Sequence, residues 1–278
     1  MTGLLFRAFK YTIYLLLAIN IVLFFQEDYL AARETFGSNI GWGNFVEAFS
    51  ATIDTAAWVV LLLLFELETA VISDERLRGG LKWLLMAVRS ICYVFIGWAF
   101  WGYLGKLGLV SGHEPFVIAN VCELVGTGFT WLSDLDEYLP IDAAACAALS
   151  GSDLVRINGT QIIGTPDAAA AAVRLAWVDV INAGDWIIIV LMLEVEVLLQ
   201  LRGRLTEALM RASKLVKGVL YAILFAAAAY WGVLGDFLDF WDAFLWLVAF
   251  IFIEMNIFKW QAETAEEAEP GLPVEASS

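Results

Sequence analysis

The chain has 278 residues, of which 61% are hydrophobic and 17% are charged, and its formal net charge is −15. Several apolar runs approach the roughly 20 residues that an α-helix needs to cross a hydrocarbon layer about 30 Å thick. This pattern excludes an ordinary soluble domain, and the acidic charge disfavours nucleic-acid binding. We therefore predict an all-α integral membrane protein whose first partner is the lipid bilayer.

Six membrane-spanning helices are predicted. In chain order, the spans cover residues 11–26, 54–73, 83–105, 184–201, 215–235 and 240–258. They divide the chain into a first transmembrane half (1–105), an external cap (106–180), a second transmembrane half (181–260) and a disordered acidic cytoplasmic tail (261–278). The first apolar run follows two basic residues, as in a signal peptide, but it lacks a convincing cleavage site and is interpreted as a retained span.

The basic residues indicate the orientation of these spans. They occur before the first span, between the second and third, and between the fourth and fifth: Arg7, Lys10, Arg76, Arg78, Lys82, Arg202, Arg204, Arg211, Lys214 and Lys217. The positive-inside rule places both termini in the cytoplasm and residues 106–180 outside, in a bacterial-type inner (plasma) membrane. Aromatic residues near the external span ends, among them Tyr103 and Trp231, are interpreted as interfacial anchors.

An internal repeat is predicted from two pairs of similar segments. WVVLLLLFELET (58–69) aligns with WIIIVLMLEVEV (186–197), and WAFWGYLG (98–105) aligns with AAYWGVLG (228–235). Aliphatic matches are common between spans, but the shared Glu-x-Glu pattern is rare in a span. We interpret the pattern as a duplicated two-helix hairpin, a parallel repeat with a pseudo-twofold axis along the membrane normal, as in some transporters.

The repeated Glu-x-Glu motif places four carboxylates in the spans at equal predicted depth, near the bilayer midplane: Glu66, Glu68, Glu194 and Glu196. A charged residue there costs at least about 2.5 kcal/mol, so each carboxylate should be paired, be neutral or face protein. Folding each hairpin about its loop brings Arg89 towards the first pair and Lys217 towards the second. Glu254 adds a carboxylate near the cytoplasmic end of the sixth span.

Three interpretations of this cluster remain open. The glutamates form ion pairs that fix the bundle or a larger assembly, they line the pathway of a proton or cation, or they form a catalytic or metal centre. The third is disfavoured, because the motif lacks the Glu-x-x-His pattern of di-iron bundles and the single histidine, His113, lies outside the spans.

No P-loop, zinc-protease or nucleophile-elbow motif is present, so an enzyme is not expected. We favour a proton or cation channel or transporter that uses the midplane carboxylates, acting alone or as a homo-oligomer. The alternative is a non-catalytic structural subunit or assembly factor that binds other membrane subunits of a larger complex. The sequence identifies no cofactor and no metal.

The external segment carries local signals of a small cap. LVRI-NG-TQII (154–163) has the Asn-Gly signature of a β-hairpin, and Thr165 with Pro166 is typical of a helix start. FTWLSDLDEYLP (129–140) alternates apolar and acidic residues and predicts a short interfacial helix. Cys122 and Cys146 predict a disulfide in an oxidising compartment, with two unpaired buried thiols as the alternative.

Overall fold

The computed structural model describes residues 2–37, 40–41, 43–68, 79–134, 137–234 and 236–268. The helices in these ranges are α1 (Thr2–Phe36), α2 (Phe45–Ala48), α3 (Ser50–Glu66), α4 (Gly80–Ser111), α5 (Ala143–Leu149), α6 (Pro166–Leu201), α7 (Glu207–Leu234) and α8 (Phe237–Ala268). The strands are β1 (His113–Pro115), β2 (Thr130–Asp134), β3 (Glu137–Pro140), β4 (Val155–Ile157) and β5 (Ile162–Gly164).

Four helical segments are long and apolar enough to cross a membrane: Leu5–Phe36, Gly80–Ser111, Pro166–Gln200 and Glu207–Leu234. Their outer faces expose large apolar side chains, such as Leu215 at 73% and Phe225 at 67%. In water such faces would be an aggregation hazard, so they indicate a protein embedded in a membrane. The predicted count of six spans and the predicted repeat stay predictions.

The bundle core is formed by apolar side chains from the long helices. Leu17 of α1, Ile189 of α6, Leu224 of α7 and Leu245 of α8 have no more than 1% of their surface exposed. They belong to one packed cluster that also includes side chains of α3 and α4. All six long helices therefore share one apolar core, and polar residues inside it are held by this packing.

Several helices extend beyond the predicted span boundaries. α4 continues to Ser111 and α6 begins at Pro166, so both helices enter the segment 106–180 predicted as the cap; the bounds of the cap stay a prediction. The start of α6 follows the predicted signal, since the Thr165 hydroxyl accepts a hydrogen bond from the Ala168 amide at 3.2 Å. α8 runs to Ala268, into the segment predicted to be disordered; residues 269–278 lie outside the described residues.

The cap is built on a five-stranded sheet with the order β1-β4-β5-β2-β3. The predicted Asn-Gly hairpin is confirmed, because β4 and β5 pair antiparallel and Gly159 takes a φ of 77° that favours glycine. The predicted disulfide is present between Cys122 and Cys146, whose Cα atoms are 5.0 Å apart. It joins the 3-10 helix at Val121–Leu124 to α5.

The predicted interfacial helix at residues 129–140 is wrong, since this segment contains β2 and β3. Its two-residue alternation suits a strand, in which alternate side chains face the same side of the sheet. Thr130 and Leu132 are 3% and 2% exposed. β2 also finds hydrogen-bonding partners on both sides, pairing parallel with β5 and antiparallel with β3.

Candidate functional site

The Glu-x-Glu motifs lie towards the ends of α3 and α6 that point away from the cap. Glu66 is the last residue of α3, and Glu196 lies about 8 Å from the end of α6 at about 1.5 Å per residue. Their predicted position at the bilayer midplane stays a prediction. Glu254 lies in α8, outside the residues whose side chains the structure describes.

Glu66 forms a buried ion pair that sequence reasoning missed. Its carboxylate lies 2.6 Å from Nζ of Lys10, and both residues are less than 10% exposed. The hydroxyl groups of Tyr11 and Tyr14 donate to the same carboxylate at 3.1 and 3.4 Å. The sequence places Lys10 only in the basic flank of the first span, because spacing along a hairpin gives no information about a helix outside that hairpin.

Arg89 contacts one glutamate from each motif. Its guanidinium lies 2.5 Å from Glu68 and 3.8 Å from Glu194. Glu194 also accepts a hydrogen bond from the Tyr93 hydroxyl at 2.7 Å, and 46% of its side chain is exposed. Arg89 therefore links α4 by charge to α6 and to the residues that directly follow α3.

Glu196 forms the third paired group. Lys217 of α7 approaches it to 3.0 Å, and the Ser213 hydroxyl donates to its other oxygen. Lys217 and Glu196 are 7% and 9% exposed. Each of the four glutamates thus lies within 4 Å of a basic nitrogen, and Glu68 and Glu194 share Arg89, so three cations face four carboxylates.

A second polar cluster, which sequence reasoning missed, lines a cavity of about 70 Å³ at the end of the bundle nearer the cap. We call it the cap-side cavity. All six long helices contribute to its wall. Six carboxylates and one amine line it: Glu27, Asp28, Asp54, Asp179, Asp239, Asp242 and Lys106. The cavity wall is therefore strongly acidic.

Asp54 of α3 and Asp242 of α8 accept hydrogen bonds from neutral donors. Asp54 accepts hydrogen bonds from the side chains of Trp58 and Tyr103. Asp242 accepts one from the Asn20 amide at 2.7 Å and another from Trp246. The charges of Asp54 and Asp242 also act on each other. These donors satisfy the carboxylate oxygens but bring no positive charge to offset an ionised carboxylate.

Aromatic rings form much of the remaining wall. Trp246 packs between Trp58 and Trp186, with ring centroids 6.5 and 6.4 Å apart. Trp231 is 3% exposed, so its predicted role as an interfacial anchor is wrong. Tyr103, predicted as another anchor, instead lines the cavity and donates to Asp54.

Two buried polar atoms of the wall have no hydrogen-bond partner among the residues that the structure describes. They are the indole nitrogen Nε1 of Trp231 and the amide oxygen Oδ1 of Asn182. Buried polar groups are usually satisfied, so each such atom calls for an explanation. One is a donor and the other an acceptor.

The sequence contained one signal that could have located this cavity. Asp54 precedes Trp58 by one helical turn, and Asn182 precedes Trp186 by one turn in the matching segment of the proposed repeat. All four line the cavity. A polar group and an indole on the same helix face, present in both segments, predict a shared polar surface.

Within the described part of the chain, no group of three or more His, Cys, Asp or Glu side chains is placed to hold a metal ion. Comparisons with protein-family models, with characterised proteins and with solved structures find no match for this chain. The functional interpretation therefore depends on the geometry of the two polar clusters.

Proposed function

We propose that the protein is a six-span inner-membrane channel or transporter for protons or cations, and that the ion is taken up at the cap-side cavity. The observation that carries this proposal is the acidic wall, in which Asp54 and Asp242 are held by neutral donors. A carboxylate within a membrane bundle is costly when it is charged, and by default it suggests a functional site, such as an ion pathway. A cation from solution would offset that cost.

The orientation of the bundle supports uptake from outside. The loop between α6 and α7 carries Arg202 and Arg204, at the end opposite the cap. The positive-inside rule makes that end cytoplasmic. The disulfide of the cap suits an oxidising external compartment, so the cavity faces the outer side.

We assign the Glu-x-Glu glutamates to a structural role in this proposal. Glu66, Glu68 and Glu196 each lie within 3.0 Å of a lysine or arginine. Paired charges of this kind link α1, α3, α4, α6 and α7. They hold the helices that form the cavity, and the transported ion is bound elsewhere.

One observation favours the alternative, a non-catalytic subunit of a larger membrane complex. Glu194 and Tyr93 form a hydrogen-bonded pair on the bundle surface, with exposed fractions of 46% and 36%. A half-exposed carboxylate would be costly against lipid. A neighbouring helix, from a second copy or another subunit, would cover it.

Flux measurements in proteoliposomes test the proposal. Asp54→Asn and Asp242→Asn should each reduce proton or cation flux by roughly tenfold or more, because a hydrogen bond to a charged group contributes about 1.5–3 kcal/mol. The matched control is Asp153→Asn, which changes an exposed aspartate of the cap and should leave flux unchanged. Wild-type flux in both cavity variants would remove the cavity from the pathway.

A further inference from the structure

The carboxylates of the cap-side cavity are spread around its wall. They belong to α1, α3, α6 and α8, and Tyr103 lies among Asp28, Asp54, Asp179 and Asp239. Within the described residues, none of these acidic groups converges as a metal-ligand set. A distributed negative wall suits a cation that is larger than a bare metal ion and carries its own hydrogen-bond donors.

The aromatic wall favours an organic cation. Trp58, Trp186 and Trp246 line the cavity with their rings packed together. Tryptophan gives the strongest cation–π attraction of the aromatic side chains. An alkylammonium ion would therefore contact carboxylates with its N–H groups and indole rings with its carbon atoms.

The two unpartnered atoms add a requirement for an acceptor on the ligand. Oδ1 of Asn182 can accept from an ammonium N–H, but Nε1–H of Trp231 needs an acceptor. Only 3% of the surface of Trp231 is exposed. A simple alkylammonium ion has no acceptor, whereas a hydroxyl group supplies one.

The volume limits the ligand to a few heavy atoms. One buried water molecule needs about 10–15 Å³ of cavity volume. A cavity of about 70 Å³ therefore has room for roughly five groups of the size of a water molecule. A compact two-carbon amino alcohol fits this limit.

We propose that the cap-side cavity binds a small protonated amino alcohol. Its ammonium group contacts Asp54 and Oδ1 of Asn182, and its hydroxyl accepts from Trp231. This inference rests on the proposed function, because it names the class of cation that the same cavity takes up.

The test compares ethanolammonium with ethylammonium, which lacks the hydroxyl, by calorimetric titration of the full chain in detergent micelles. Ethanolammonium should bind roughly fivefold more tightly, the effect of about one neutral hydrogen bond. Equal affinity of the two amines, or no binding of either, would overturn the proposal. This comparison uses the unchanged protein and does not depend on the folding of a variant.

Variants then locate the hydroxyl contact. Trp231→Phe keeps an aromatic ring but removes the N–H, and it should abolish the difference between the two amines. The matched control is Trp177→Phe, at a tryptophan of α6 that is 52% exposed and does not line the cavity; it should keep the difference. Persistence of the difference in Trp231→Phe would contradict the assignment.

Flux in the same preparation separates this inference from the proposed function. If protons or alkali cations cross the membrane in an Asp54-dependent way but no amine binds, the amino-alcohol site is rejected and the proposed translocation is still supported. Amine binding with the predicted preference, but without flux of any cation, would support the binding site and reject translocation.

Discussion

Breaking the Lys10–Glu66 ion pair should destabilise the bundle strongly. The two charges are 2.6 Å apart, with side-chain exposures of 9% and 6%. At an effective dielectric constant of about 20, their Coulomb attraction is about 6 kcal/mol. Most of that attraction offsets desolvation, so the intact pair adds little net stability. Lys10→Met leaves the Glu66 carboxylate buried with two tyrosine hydroxyls, and we expect a loss of about 3–5 kcal/mol.

Reversible unfolding in mixed micelles, followed by circular dichroism, measures this loss. The double variant Lys10→Met with Glu66→Gln removes both charges and should recover most of the stability. The control is the cap pair Glu114–Arg156, 2.7 Å apart but with side chains 52% and 36% exposed; Glu114→Gln should cost no more than about 1 kcal/mol. A Lys10→Met variant as stable as the wild type would refute the reasoning.

Two further predictions concern the packing of α2 near the cap. Gly102→Ala should destabilise the protein by about 1–3 kcal/mol, because the added Cβ would lie 2.7 Å from the backbone oxygen of Val46. Thermal unfolding measures this loss. The matched control is Gly97→Ala, whose added Cβ has open space around it and which should show no such loss. Burial raises the pKa of Glu47 above its ordinary value of 4.5, so the folded state loses stability as the pH rises above that value. Glu47→Gln should therefore stabilise the protein at neutral pH and lose this advantage below pH 4.5, and a gain that does not depend on pH would contradict the assignment.

The elements that the sequence predicted well are those set by local signals. The apolar runs correspond to long helices, and the Asn-Gly pair marks a hairpin whose turn needs the positive φ of Gly159. The start of α6 follows from Thr165 and Pro166. Pairing of Arg89 with Glu68 and of Lys217 with Glu196 follows from folding two consecutive helices about one loop.

The features that sequence reasoning missed depend on contacts between distant segments. Lys10 reaches Glu66 across 56 residues, and Asn20 reaches Asp242 across 222. The segment at 129–140 becomes two strands because β5 supplies a partner for β2, which its own pattern does not reveal. The cavity carboxylates lie near the ends of the predicted spans, where they resemble ordinary polar flanking residues until six helices bring them together.

The contrast between the two polar clusters shows why rarity within a span is a weak guide to function. A glutamate in an apolar helix is rare because it is costly, and a lysine or arginine of the same chain can offset that cost permanently, as at Glu66 and Glu196. The charges of such a pair offset each other, so the pair needs no ligand to neutralise it. Asp54 and Asp242 differ because their hydrogen bonds come from Trp, Tyr and Asn side chains that carry no charge. These donors bring no positive charge to Asp54 and Asp242, and in the proposed function a transported cation or proton would supply it.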